Sequence, residues 1–211
     1  SPMRELPIPF TTPMIKAILE DRKTLTRRVI NPCSKASVVG RNKKGQLDNQ
    51  VPREQPDWVF TLATPPYQVG DHLWCRETWS PLQDAAGRPT GKVIYKADFP
   101  ADFVKSEISD MKGIWKSGRF MFKKYARLWL EVIAVRAEQL QVISWEDTHA
   151  EGILRFDSEH RDPTNGGVGY NRGAEGLPMR YESQAAYMDL WNSINGKTHP
   201  WESNCWVWVY S

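Results

Sequence analysis

Between Arg22 and Arg28 the chain reads "RKTLTRR", with four cations (Arg22, Lys23, Arg27, Arg28), two hydroxyls (Thr24, Thr26) and no acid among seven residues. Taken as a strand, the segment sends Lys23, Leu25 and Arg27 one way and Thr24, Thr26 and Arg28 the other. A turn just before it would bring Lys23 round to the Thr26 side. A lysine crowded by Arg27 and Arg28 is expected to release its proton more readily than an isolated one, which suits a general base. The arginines can hold a phosphate or a developing oxyanion. The bland alternative is a solvated basic turn.

Three other groupings could do chemistry. "HAE" at His149–Glu151 has the H-x-E form of the zinc nucleobase deaminases, but the P-C-x-x-C partner is missing, and the one later cysteine is Cys205. "NGGVGYNRG" has glycine enough to wrap a phosphate, yet lacks the preceding strand and following helix such loops need, so it reads as a surface loop. Ten tryptophans offer π faces. Trp74, Trp79, Trp129, Trp191, Trp206 and Trp208 fall in periodic segments and are expected in the core, whereas Trp115, between Lys112, Lys116 and Arg119, is the expected exposed stacking residue.

These residues need elements to hold them. Thr12 and Pro13 open a helix whose apolar face carries Ile15, Ile18 and Leu19, and Asp21 is expected to end it in a left-handed turn. Strands are expected over "TLTRRVI", "HLWCRETW" (with His72, Trp74, Arg76 and Thr78 opposite Leu73, Cys75 and Glu77), "GKVIYKADF", "YARLWLEVIAV" and the terminal "CWVWVYS". Ser144 with Asp147 three residues on forms a capping signal for a short helix that Gly152 stops. A longer helix places Tyr187, Leu190, Trp191 and Ile194 on one face. Residues 33–57 and 155–180 are polar or glycine-rich without period and read as loop insertions into a single domain over residues 3–211. Strands outnumber helices, which favours a mostly antiparallel α+β barrel with helices packed on it.

Net charge is only +3, but residues 1–44 hold ten Lys or Arg against three acids, and residues 92–127 hold nine against four. Such local bias steers polyanions. Three well-separated cysteines without a CxxC pair favour a reducing compartment over a disulfide scaffold or a zinc site. With no apolar run near the roughly 18 residues of a membrane span, a cytoplasmic protein that does not enter the membrane is expected.

The order "ILEDRKTLTRRVI", "VGDHLWCRETW", "ARLWLEVIAVRAEQLQVISWEDTHAEGI" and "WNSINGK…WESNCWVWVYS" resembles ASCH-domain proteins of the PUA-like superfamily, above all members carried by bacteriophages and prophages. The family signature G-x-K-x-x-E-x-R is matched by Lys23 and Arg28, while Asp21 stands at its Gly and Thr26 at its Glu. The resemblance implies a PUA-like β-barrel and a basic cleft for RNA, DNA or a modified nucleoside. The small ASCH amidohydrolases acting on N4-acetylcytidine carry a similar K-T-x-T segment, so Lys23 and Thr26 match their catalytic pair, with Glu151 an approximate counterpart of their glutamate.

Three functions stay open. The leading one is a binder of single-stranded nucleic acid or an extruded base, with Lys23, Arg27, Arg28, Arg76, Lys116 and Arg119 on phosphates or base edges, Trp115 stacking, and Thr26 and Glu77 orienting the ligand. The second is a hydrolase that needs no metal or other cofactor, acting on a modified cytidine or RNA through Lys23, Thr26 and Glu151 or Glu77. The third is a phage protein that binds a host protein through its loops.

Overall fold

A computed structural model describes residues 3–30, 40–41, 47–48, 59–60, 65–84, 86, 88–100, 115–156, 169–171 and 182–211. Along the chain the strands and helices are β1 (Glu5–Pro9), α1 (Thr12–Leu19), β2 (Thr26–Val29), β3 (Gly40–Arg41), β4 (Leu47–Asp48), β5 (Val59–Phe60), β6 (His72–Arg76), β7 (Trp79–Gln83) and β8 (Pro89–Tyr95). They continue with β9 (Trp129–Glu131), β10 (Val135–Gln139), α2 (Trp145–Ala150), β11 (Leu154–Phe156), β12 (Gly169–Asn171), α3 (Ser183–Asn195) and β13 (Trp206–Tyr210). The chain divides into two compact units, Ser1–Thr24 with Val69–Val132 and Leu25–Gln68 with Ile133–Ser211.

The first unit is built on β6, which pairs in parallel with β1 and antiparallel with β9. Its Leu73, Trp74 and Cys75 are buried in succession, so β6 is covered on both faces. Pro13 sits in the first turn of α1, where its missing N–H costs nothing. Ile15 and Ala17 of α1 are buried, and Asp21 ends the segment at φ 55°, the left-handed turn expected of it. The β7–β8 hairpin carries an irregularity between Pro81 and Gln83. Three-residue 3-10 turns at Lys96–Asp98, Gly118–Phe120 and Lys123–Tyr125 complete the described part.

The second unit is a sheet in the order β10–β13–β2, antiparallel throughout. All five residues of β13 are buried, as a "WVWVY" run covered on both faces must be. Helix α2 starts on Ser144, whose hydroxyl accepts the Asp147 N–H at 3.1 Å, and Gly152 closes it at φ 97°. Helix α3 buries Ala186, Tyr187, Leu190 and Trp191.

The expected α+β class with mostly antiparallel pairing holds, but no described set of strands closes into a barrel. Within the expected insertion 33–57, β3 pairs with β4 and also with β5 just beyond it, and β11, which starts at Leu154, pairs with β12 inside 155–180. The "YARLWLEVIAV" strand is broken after Glu131, where the Val132 N–H turns to the Asp71 carbonyl. Trp129 shares the outer face of β9 with Glu131 and is not a core residue as expected, being 43% exposed, and Ile194 near the end of α3 is exposed as well. Among the described residues no helix is long and apolar enough to cross a membrane.

Candidate functional site

The "RKTLTRR" stretch is shared between the two units. Lys23 closes the first-unit segment: its N–H donates to the Ala17 carbonyl at 3.0 Å, and its buried side chain brings Nζ 6.0 Å from the Phe10 ring centre. Thr26, Arg27 and Arg28 lie on β2 in the second unit. The Leu25 N–H donates to the Ala150 carbonyl at 2.9 Å, tying the entry of β2 to the end of α2, one residue before Glu151.

Strand pairing decides which way the two arginines face. Arg27 and Arg136 are both opposite Val209 across β13, so their side chains share a face with Glu138, two residues further along β10. Arg27, whose side chain is fully buried, donates to Glu138 (Nη2 at 2.5 Å, Nε at 3.0 Å), to Asp147 (2.5 Å) and to Glu151 (3.2 Å). Arg136 adds ion pairs to Glu138 at 3.1 Å and to Asp147. The Tyr187 hydroxyl donates to Glu151 at 3.5 Å, and the Tyr187 ring lies 5.9 Å from the Arg27 guanidinium. Burial works against the charge on Arg27, but Glu151, Tyr187 and Glu138 more than reverse it and hold its pKa above the ordinary arginine range. The expected ligand-holding arginine thus spends its donors on carboxylates of its own chain.

Thr26 and Arg28 occupy the other face of β2, opposite Tyr210 and Trp208. The Tyr67 ring meets Tyr210 edge-on at 5.2 Å. Around Arg28 burial prevails over attraction from Tyr67, Glu151, Tyr210 and Tyr187, and its pKa falls below the ordinary value. Burial also pushes the Tyr210 hydroxyl up to about 12. Two adjacent arginines thus stand in opposite electrostatic conditions.

In the first unit, Glu77 is buried and gives both oxygens to Arg127, at 2.8 and 2.9 Å, while Arg127 also reaches Asp98 at 2.6 Å. The Arg127 guanidinium lies 4.0 Å from the centre of the Tyr95 ring. Glu77 is therefore an ion-pair partner within the protein, where the sequence reading had it orienting a ligand. Arg76 stacks on Trp74 at 4.7 Å, as their shared strand face implies. Trp115 is half-buried and packs edge-on against Phe99 at 5.7 Å. Lys116 and Arg119 are exposed, and Lys116 reaches over the buried Trp79 ring at 5.4 Å.

The structure groups Thr26, Arg27, Arg28 and Glu151 in one unit, and Arg76, Glu77, Trp115, Lys116 and Arg119 in the other. His149 of the deaminase-like tripeptide packs its ring 4.5 Å from Trp145, and its Nδ1 lies 3.2 Å from the Ile153 carbonyl. Cys75 and Cys205 are buried, while Cys33 and Arg172 lie outside the described residues, and of the glycine-rich segment Gly169–Asn171 is described, as β12. Exposed aromatic residues at Phe120 and Phe122 are not singled out by the sequence patterns; their nearness to lysines is the available signal. Comparison with known proteins finds no match to the chain among protein-family models, curated proteins or solved structures.

Proposed function

We propose that this protein binds single-stranded nucleic acid or a modified nucleoside as an ASCH-type member of the PUA-like superfamily, with the barrel of that superfamily as its underlying architecture. The observation that carries the reading is the contrast across β2. Arg27 is taken up by Glu138, Asp147 and Glu151, whereas Arg28 lies on the opposite strand face beside Tyr67 and Tyr210, where burial lowers its pKa. A buried guanidinium in that condition gains from an incoming phosphate or a base acceptor, which supplies the charge or hydrogen bonds that desolvation removed. Thr26 on the same strand face offers a hydroxyl for orientation, and Lys23 contributes a cation earlier in the same stretch.

A second reading, a metal-independent hydrolase on an acylated cytidine or on RNA, draws on the Leu25–Ala150 hydrogen bond, which ties the entry of β2 to the end of α2, although Glu151 is engaged by Arg27 on the strand face opposite Thr26. There Lys23 acts as base, Thr26 as nucleophile or orienting group, and Glu151 as proton carrier.

Substitution of Lys23 separates the two. Charge is enough for a phosphate contact, so Lys23→Arg retains oligonucleotide binding that Lys23→Ala loses; a base must give up its proton, which guanidinium does not do near neutral pH. Incubation with N4-acetylcytidine, other acylated nucleosides and single-stranded RNA, followed by chromatography, is expected to give no product under the binding reading. Product that vanishes in both Lys23 variants, with binding kept in Lys23→Arg, would establish the hydrolase. Turnover that survives Lys23→Ala would refute the assignment of Lys23 under either function.

A further inference from the structure

Residues 115–130 read "WKSGRFMFKKYARLWL", sixteen positions with five cations, five aromatic rings and no acid. Packing fixes this segment from beneath. Lys116 and Trp79 exchange backbone hydrogen bonds at 2.7 and 3.1 Å. A Cβ on Gly118 would lie 3.0 Å from the backbone of Arg76 and Glu77, so only glycine lets the segment approach this closely. Met121 is buried, with its Sδ accepting the Glu77 N–H at 3.4 Å. The Tyr125 carbonyl accepts the Tyr95 hydroxyl at 2.7 Å, and Arg127 is held by Glu77 and Asp98.

On this fixed base the side chains beside the anchors point outward. Phe120 and Phe122, on either side of buried Met121, are 64% and 63% exposed, and Trp129 is 43% exposed. Lys123 lies 5.6 Å from the centre of the Trp129 ring and also pairs with Glu5, while Lys124 lies 4.8 Å from the Tyr125 ring. Large apolar side chains so displayed mark a binding surface, and the cations among them select an anionic partner.

We infer that Phe120, Phe122 and Trp129, with Arg119, Lys123 and Lys124, form a sequence-independent platform for single-stranded nucleic acid, the rings stacking bases and the cations holding phosphates. This goes beyond the reading of Arg28, because it stands on first-unit residues alone. Rings and cations are interspersed along short turns, as a surface that both stacks bases and follows a phosphate backbone requires. A membrane-binding surface would instead segregate an apolar face from a basic one on an amphipathic helix.

The test uses the full chain, a fluorescein-labelled oligothymidylate, phosphatidylserine vesicles and polyglutamate. Phe120→Leu/Phe122→Leu keeps apolar bulk without π faces and is expected to weaken oligothymidylate binding about ten-fold or more, whereas Phe120→Tyr/Phe122→Tyr retains it. Lys123→Ala/Lys124→Ala is expected to reduce the log-log salt slope by about 1.4, two contacts at roughly 0.7 each. Oligothymidylate affinity unchanged in both the leucine and alanine pairs would overturn the platform, as would vesicle or polyglutamate binding through these residues without oligothymidylate binding. If Arg28→Ala abolishes binding while the leucine pair has no effect, the platform fails and the Arg28 reading survives. The reverse result leaves the platform and removes that reading.

Discussion

Arg27 and Arg28 are neighbours in sequence with opposite surroundings. Arg27 faces Glu138, Asp147 and Glu151 under α2 and α3, and its charge completes an ionic cluster. Arg28 faces Tyr210 and Tyr67, where burial prevails. Charge density along a chain therefore does not measure the charge available to a ligand. The pleat of one strand makes the first arginine part of the scaffold and turns the second to the opposite face.

Volume-matched substitution gives the sharpest separation. Arg27→Met removes the cation that Glu138, Asp147 and Glu151 share, and is expected to cost about 3–5 kcal/mol. Arg28→Met removes a charge that the fold does not favour, and is expected to cost less than about 1 kcal/mol while weakening oligonucleotide binding. Denaturant unfolding of both variants checks this, and equal losses would erase the distinction.

The first unit offers a parallel to Arg27. Glu77→Gln leaves Arg127 with Asp98 as its remaining carboxylate, and about 2 kcal/mol of stability should be lost in the same assay. Ser144→Ala removes the cap that starts α2, the helix carrying Asp147 and leading to Glu151, for about 1 kcal/mol. A negligible loss there would detach the helix start from the integrity of the Arg27 cluster.

A further effect appears only at high pH. An unfolded tyrosine ionises near its ordinary value, 10.0, whereas folded Tyr210 holds its proton to about 12. Between these values the unfolded state binds fewer protons than the folded one, so stability falls as pH rises; below them this group contributes nothing. Tyr210→Phe should flatten the decline in a denaturation series, and an unchanged slope would show that Tyr210 does not drive it.

Local features were readable from the chain. The Asp21 turn, the Ser144 cap, the Gly152 stop and the buried terminal strand each follow from a few adjacent residues. The partners of Arg27 were not, because Glu138, Asp147 and Glu151 lie 111, 120 and 124 residues away and reach it only through the register of β13 with its neighbours. Trp129 is exposed because alternation sets it with Glu131 on the face away from Leu130, a placement that its large aromatic ring in a periodic segment obscures. The rings of Phe120 and Phe122 went unnoticed because 3-10 turns impose neither of the two periods that mark an exposed face.

The proposed function requires that cations of this chain contact a nucleic-acid backbone. Titration of a labelled single-stranded oligonucleotide over a range of salt concentrations tests it most directly. Two to four phosphate contacts predict a log-log line with a slope between about −1.4 and −2.8. Affinity independent of salt, or no binding at low salt, would contradict it.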